Sequence, residues 1–241
     1  MPHQIRKSLR KGRTPKPSLQ TKRLIAFDPS NDFEIGRPCP RLCLTIKSQE
    51  QGKSGFTGLS FWPASLLLAD FVLAIGDQLK SREVLELGAG VGINSLVASR
   101  CKVKAVFLSD YSSKILKVAK HNVEVNSRSS EERARIRIVK INFFKSATKP
   151  KKREPRRRGG ALQILRKIGT EFPSQTNRSF QAMATRLSFV FCSELIFDSQ
   201  LTDGLFCYLH RLCCVNPSIV ILFSIQRRFN FTPFPPRICD L

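Results

Sequence analysis

Three glycines, Gly88, Gly90 and Gly92, follow the apolar run Val84-Leu85-Glu86-Leu87. The run reads as a buried strand, the glycines as a tight turn that lets a ligand approach the backbone, and residues 93–99 as the start of a helix. The first N–H groups of such a helix have no partner within it. Strand, Gly-x-Gly-x-Gly and helix point to a nucleotide-type cofactor at the carboxyl end of a strand; the other reading is a tight turn with no ligand. A dinucleotide fingerprint places its third glycine one residue later. Glu86, just before the glycines, suits the cationic end of a phosphate-free nucleoside such as S-adenosylmethionine and would repel a pyrophosphate.

Other polar residues fall at strand ends. Asp110 ends the apolar run 105–108, and a carboxylate there can accept both hydroxyls of a ribose. Asn142 and Phe143 end the run 136–141, where an amide and a ring can read the edge and face of adenine. Ser193 and Glu194 end the run 187–192, and Phe197 follows. A carboxylate at 194 can orient an amine, and a ring at 197 can wall its channel by cation–π contact. Each of these also reads as a turn-filling polar residue, because loops begin where strands end. Trp62, the single tryptophan, precedes the glycine motif; simple core packing is its alternative.

These residues need a scaffold. Residues 42–46 alternate as a strand, and a helix with Pro63 in its first turn, capped by Ser60 or Thr57, precedes the motif. Its apolar positions, Leu66, Leu67, Ala69, Phe71, Val72, Leu73 and Ile75, are dense enough to imply burial on a sheet. After the motif, strands alternate with helices: strands at 105–108, 136–141, 187–192 and 218–223, helices at 112–125, 161–168 and 201–213. The pattern predicts an α/β, Rossmann-like parallel sheet with helices on both faces, which binds its ligand outside the carboxyl ends of the strands.

The chain has 241 residues and a formal net charge of +23. Residues 1–23 hold eight basic side chains and no acid, and residues 145–158 hold eight against Glu154. The charge therefore belongs to appendages: a disordered basic tail over 1–23, an N-terminal extension over 24–58, a domain over 59–232 with a basic loop at 145–160, and an irregular tail over 233–241. The run 149–158 reads as a nuclear import signal that an importin would bind, or as a phosphate-binding loop; a solvated insertion is the alternative. The eight cysteines are irregularly spaced, which suits a reducing compartment. Cys207-x-x-His210-x-x-Cys213 lacks a fourth ligand, which favours core packing over zinc. No apolar run is long enough to cross a bilayer, and the basic N-terminus has no apolar signal region. The expectation is a soluble protein of nucleus and cytoplasm with no membrane partner.

Glu86 to Gly92, Asp110, Glu194-Leu195-Ile196-Phe197 and the segment Phe61 to Asp70 together resemble the seven-strand (class I) protein-lysine methyltransferases. The resemblance spans residues 55–232 with a gap at the basic loop, and the acid-x-x-aromatic signature is its most specific part. It implies S-adenosyl-L-methionine as cofactor, bound by Trp62, Gly88, Ala89, Gly90, Asp110, Phe143 and Ser193. It implies a protein substrate presenting a lysine to Glu194 and Phe197, and a nuclear target that itself binds nucleic acid. The chain departs from the pattern in having Phe197 where tyrosine is usual and Asn142-Phe143 where Asp-Trp is usual. It also ends 18 residues after Phe223, with prolines at 235 and 236, where the family continues into an antiparallel hairpin. The expectation is a fold with strands one to five and no hairpin, a truncated form whose last strand is an exposed edge. Two other functions fit the same fold: methylation of RNA or DNA, and non-catalytic binding by a degenerate domain.

Overall fold

Short apolar runs become the central strands because each sends alternate side chains to two helix-covered faces. The computed structural model describes residues 21–27, 42–48, 57–146 and 174–226. In these, strands β1 (Thr21–Phe27) and β2 (Leu42–Ser48) form an antiparallel pair. Strands β3 (Glu83–Leu87), β4 (Ala105–Asp110), β5 (Ile136–Lys140), β6 (Leu187–Ser193) and β7 (Val220–Ser224) form one parallel sheet in the order β5-β4-β3-β6-β7. The chain builds outward from β3 to β5, then crosses back to β6 on the other side. A crevice therefore opens above the carboxyl ends of β3 and β6, and the anticipated α/β architecture is the one observed.

Helices α1 (Pro63–Ala74), α3 (Ile93–Arg100) and α4 (Ser113–Asn126) cover one face. Their Leu68, Val72, Leu96, Val97 and Val123 pack with Val84, Val106, Leu108 and Phe191. Short helices α2 (Gly76–Leu79) and α5 (Ser130–Arg135) lead into β3 and β5. Helices α6 (Ser174–Ala184) and α7 (Ser199–Val215) cover the other face, where Leu205, Leu209 and Leu212 meet Leu85, Leu87, Phe107 and Val190.

Several expectations change. Residues 21–23, assigned to the basic tail, belong to β1, which pairs residue for residue with β2 from Thr21↔Ser48 to Phe27↔Leu42. Neither Ser60 nor Thr57 caps α1. The N-cap is Trp62, with no side-chain bond, and Thr57–Leu59 forms a 3-10 turn before it. Within α1, Leu67 is 55% exposed, so it does not belong to the core face. Helix α6 is a new element. The basic loop, the helix expected at 161–168 and the tail at 233–241 lie outside the described residues. Strand β7 is the last in the described sheet, with Val220 and Phe223 exposed.

Two asparagines tie the small sheet to the large one. On α4, Asn126 accepts from the Thr45 N–H (2.8 Å) and donates to the Thr45 carbonyl (2.9 Å). One turn earlier, Asn122 accepts from the Lys47 N–H (2.9 Å) and donates to the Lys47 carbonyl (3.1 Å) and to that of Val91 (2.9 Å). Residues four apart on a helix thus match residues two apart on a strand, and the amides complete the edge of β2 as a neighbouring strand would.

Candidate active site

The cleft at the carboxyl ends of β3, β4 and β6 gathers most of the sequence-predicted residues. Trp62, Gly88, Ala89, Gly90, Asp110 and Phe143 line it, and so do Ser193, Glu194 and Phe197. The glycine turn supplies its floor. Gly88, Gly90 and Gly92 have φ of 57°, 55° and 87°. At Gly90 a side chain is excluded twice over, by that φ and because a Cβ would lie 2.9 Å from the Gly58 carbonyl oxygen. Gly92 is the left-handed N-cap of α3.

Asp110 is 4% exposed and ends β4 at the cleft wall. Its carboxylate accepts from the N–H groups of Gly90 (3.3 Å) and Ser112 (3.0 Å), which join the glycine turn to the start of α4. Burial pushes this carboxyl above its ordinary range, and the backbone N–H bonds oppose that shift. Ser193 shares a hydrogen bond with Ser65 of α1 (3.0 Å between oxygens). Glu194 takes φ of 54°, its Oε1 accepts from the Gln226 N–H (2.9 Å), and its own N–H donates to the Ser224 carbonyl (2.9 Å). These bonds fix a carboxylate between β6 and β7 at the cleft edge. Phe197, 43% exposed, stands at the mouth. The Trp62 indole donates to the Thr57 carbonyl at 3.0 Å, so the ring braces the 3-10 turn as well as the cleft.

Two expected ligand-binding residues are not brought to the cleft. Glu86 lies beneath it, 2% exposed. Its carboxylate accepts from the Asn94 amide (3.0 Å), the Ser95 N–H (2.8 Å) and the Ser95 hydroxyl. With Val84 it points to the α3 face, while Leu85 and Leu87 point to the other. It therefore satisfies the first turn of α3 and does not face a ligand's cationic end. Burial raises its pKa to about 7, against the three hydrogen bonds. Asn142 is also corrected: its side-chain oxygen accepts from the Phe144 N–H (3.1 Å), an Asx turn that caps the 3-10 turn 143–146. Phe143 alone of that pair reaches the cleft.

Thr57, Gly58, Ser60, Tyr111, Ile115 and Phe144 also line the cleft. Tyr111 and Phe144 each follow a residue already singled out, so their adjacency was a usable signal. Thr57 to Ser60 arrive from a loop some thirty residues upstream, which no local pattern links to the glycines. The cysteine and histidine trio on α7 is not in the core. His210 is exposed, and its ring nitrogens lie 3.7 and 3.8 Å from Cys214 Sγ.

Asp110 and Glu194 are the charged side chains of the cleft, and no lysine or arginine lines it among the described residues. Two carboxylates and a ring of aromatic and aliphatic groups fit a cationic nucleoside and would repel a pyrophosphate. The crowded glycine turn brings backbone close to such a ligand without a phosphate-binding cation. The residues present thus fit S-adenosylmethionine: Asp110 would hold the ribose, Gly88 to Gly90 the amino-acid end, and Phe143 the base.

Residues 41–146 match the family model described as lysine methyltransferase. Methyltransferase-like protein 22 of Mus musculus is 26% identical over 198 residues, 80% of this chain and 45% of that protein. The Homo sapiens protein of the same name is 26% identical over 179 residues, 73% of this chain and 39% of that protein. The chain therefore spans less than half the length of these relatives. The protein-lysine N-methyltransferase EEF2KMT of Homo sapiens is 37% identical over 78 residues, 32% of this chain and 24% of that one. Among solved structures, a SAM-dependent methyltransferase from Agrobacterium tumefaciens superposes with a TM-score of 0.47 at 16% identity, over 77% of this chain and 52% of that one. Residues 41–146, which hold the glycine turn and Asp110, are thus similar to the lysine methyltransferase family.

Proposed function

We propose that this protein transfers a methyl group from S-adenosylmethionine to the side-chain amine of a lysine on another protein. The carrying observation is that Glu194 and Phe197 share one cleft with the glycine turn and Asp110, so an acceptor site adjoins a cofactor site. S-adenosylmethionine supplies a methyl already activated by a sulfonium, which an amine displaces directly. The chain must therefore place the amine, keep it unprotonated and exclude water. Glu194, held by Gln226 N–H and by its own backbone, accepts a hydrogen bond from the amine and aims its lone pair. Phe197 walls the approach, and as phenylalanine it offers no hydroxyl to share that task. Trp62, Phe143 and Leu195 line the cleft with apolar surface that keeps water from the reacting atoms.

The target proposed is a nuclear protein that binds nucleic acid, with import through the basic run 149–158. The basis is the run's composition and the family resemblance. The test incubates the full chain with methyl-labelled cofactor and nuclear extract. Protease-sensitive label on lysine, lost in Glu194→Gln, is the expected result. Nuclease-sensitive label, or none, would contradict the reading.

A further inference from the structure

The edge of the sheet opposite the cleft carries a row of cations. Four adjacent strands are each preceded by a basic residue: Arg135 before β5, Lys104 before β4, Arg82 before β3 and Arg186 before β6. The register places Lys104, Arg82 and Arg186 level with one another, since Glu83 pairs with both Ala105 and Leu187. Arg135 sits one residue along, because Ile136 pairs with Val106. Neighbouring strands lie about 4.8 Å apart, so the row is a line of basic residues along one edge. Lys80 and Lys102 widen it. The Ser81 N–H donates to the Lys102 carbonyl (3.0 Å) and the Lys104 N–H to that of Arg82 (2.8 Å), which holds the two loops side by side.

The row is poorly neutralised. Glu83 is nearly buried and pairs with Lys104 and Arg186, each at 3.1 Å, yet those cations remain 64% and 50% exposed. Asp77 and Glu131 also flank the edge, both exposed, and Glu132 is committed to Arg100 (2.7 Å). Lys80, Arg82 and Lys102 are exposed and make no ion pair among the described residues. Beside the row runs a groove lined by Arg82 and Arg186 together with Thr185, Ser188 and Ser218. Guanidinium forks and hydroxyls are the donors that contact phosphate oxygens. Among the described residues the aromatic ring lining the groove is Phe189, which is buried and so not offered for base stacking.

We propose that this edge, on the far side of the sheet from the cleft, is a sequence-independent docking surface for the phosphate backbone of a nucleic acid. Exposed guanidinium and ammonium donors beside hydroxyls complement the charge and the acceptor oxygens of a phosphate backbone. Because the two sites lie at opposite strand ends, a nucleic acid held here leaves the cleft open to a protein.

The test compares two variants of the full chain with the same change in net charge: Arg82→Glu with Lys102→Glu on the row, and Lys117→Glu with Lys120→Glu on α4. Binding to a labelled oligouridine and to an oligothymidine of about 20 nucleotides is titrated against potassium chloride, with thermal melts to check folding. The row variant is expected to bind at least tenfold more weakly than the α4 variant. Its salt slope should fall by about 1.4, the value for two lost phosphate contacts on a single strand. Lys80, Lys102 and Lys104 should be protected from acetylation in the wild-type complex. Equal affinity of the two variants, no binding by the wild type, or no protection of those lysines would overturn the proposal. A polyglutamate of the same length that binds more tightly and loses the same affinity would assign the edge to acidic proteins instead.

Discussion

Two acidic residues with similar burial do different work. Asp110 faces the cleft, with backbone N–H groups on its carboxylate. Its removal should weaken cofactor binding: in Asp110→Ala, affinity for S-adenosylmethionine should fall at least tenfold by calorimetry, roughly the 1–3 kcal/mol of charge-assisted hydrogen bonds. Glu86 faces α3 and works through the turn, as a positioning residue. Its folded pKa is about 7 against an ordinary 4.5, so between those values the folded state holds a proton that the unfolded chain has released. Stability should therefore fall as pH rises from about 4.5 to 7 and level off above, by an amount on the order of 3 kcal/mol. Asp110, whose carboxyl is also pushed up by burial, contributes with the same sign. Glu86→Gln should flatten the slope, read as the difference in melting temperature between the two proteins across pH 5 to 8. A wild-type slope of the opposite sign, or one unchanged by the substitution, would contradict the assignment.

At the scale of elements, the clamp between α4 and β2 joins the N-terminal strand pair to the glycine turn. Asn122 is 1% exposed and bonds Lys47 and Val91 at once, and Val91 lines the cleft. Asn122→Leu leaves three backbone groups without their partner, which should cost about 2–4 kcal/mol in denaturant unfolding. It should also weaken cofactor binding several-fold; a destabilised variant with unchanged affinity would break the link to the turn. Much of this element layout is legible in the sequence. The glycine turn stands out because few other residues tolerate its φ and crowding, and strand ends stand out because apolar runs stop there. Side-chain direction is less legible. The two-residue alternation of β3 sends Glu86 to the α3 face, but a run apolar on both sides hides which face is which. Asn142 reads as a base-contacting amide until the Asx turn consumes its oxygen. Strand β1 was hidden by its basic composition, since pairing with β2 is non-local and periodicity reports only local structure.

For the molecule as a whole, the described sheet presents three distinct borders: a cleft lined by carboxylates and rings, a cationic edge at the opposite strand ends, and the flank of β7. On that flank Phe206 and Phe223 stack with centroids 6.0 Å apart, and Val220 and Ile225 are exposed. An apolar strand flank of this kind favours association. Phe223→Lys should reduce concentration-dependent light scattering while leaving the melting temperature nearly unchanged; unchanged scattering would show that the flank is not what associates. The most direct test of the whole account is calorimetric titration of the full chain with S-adenosylmethionine, wild type beside Asp110→Ala. One saturable site is expected in the wild type, weakened at least tenfold in a variant that still unfolds cooperatively. Absence of binding by the wild type, or equal binding by a folded Asp110→Ala protein, would contradict it.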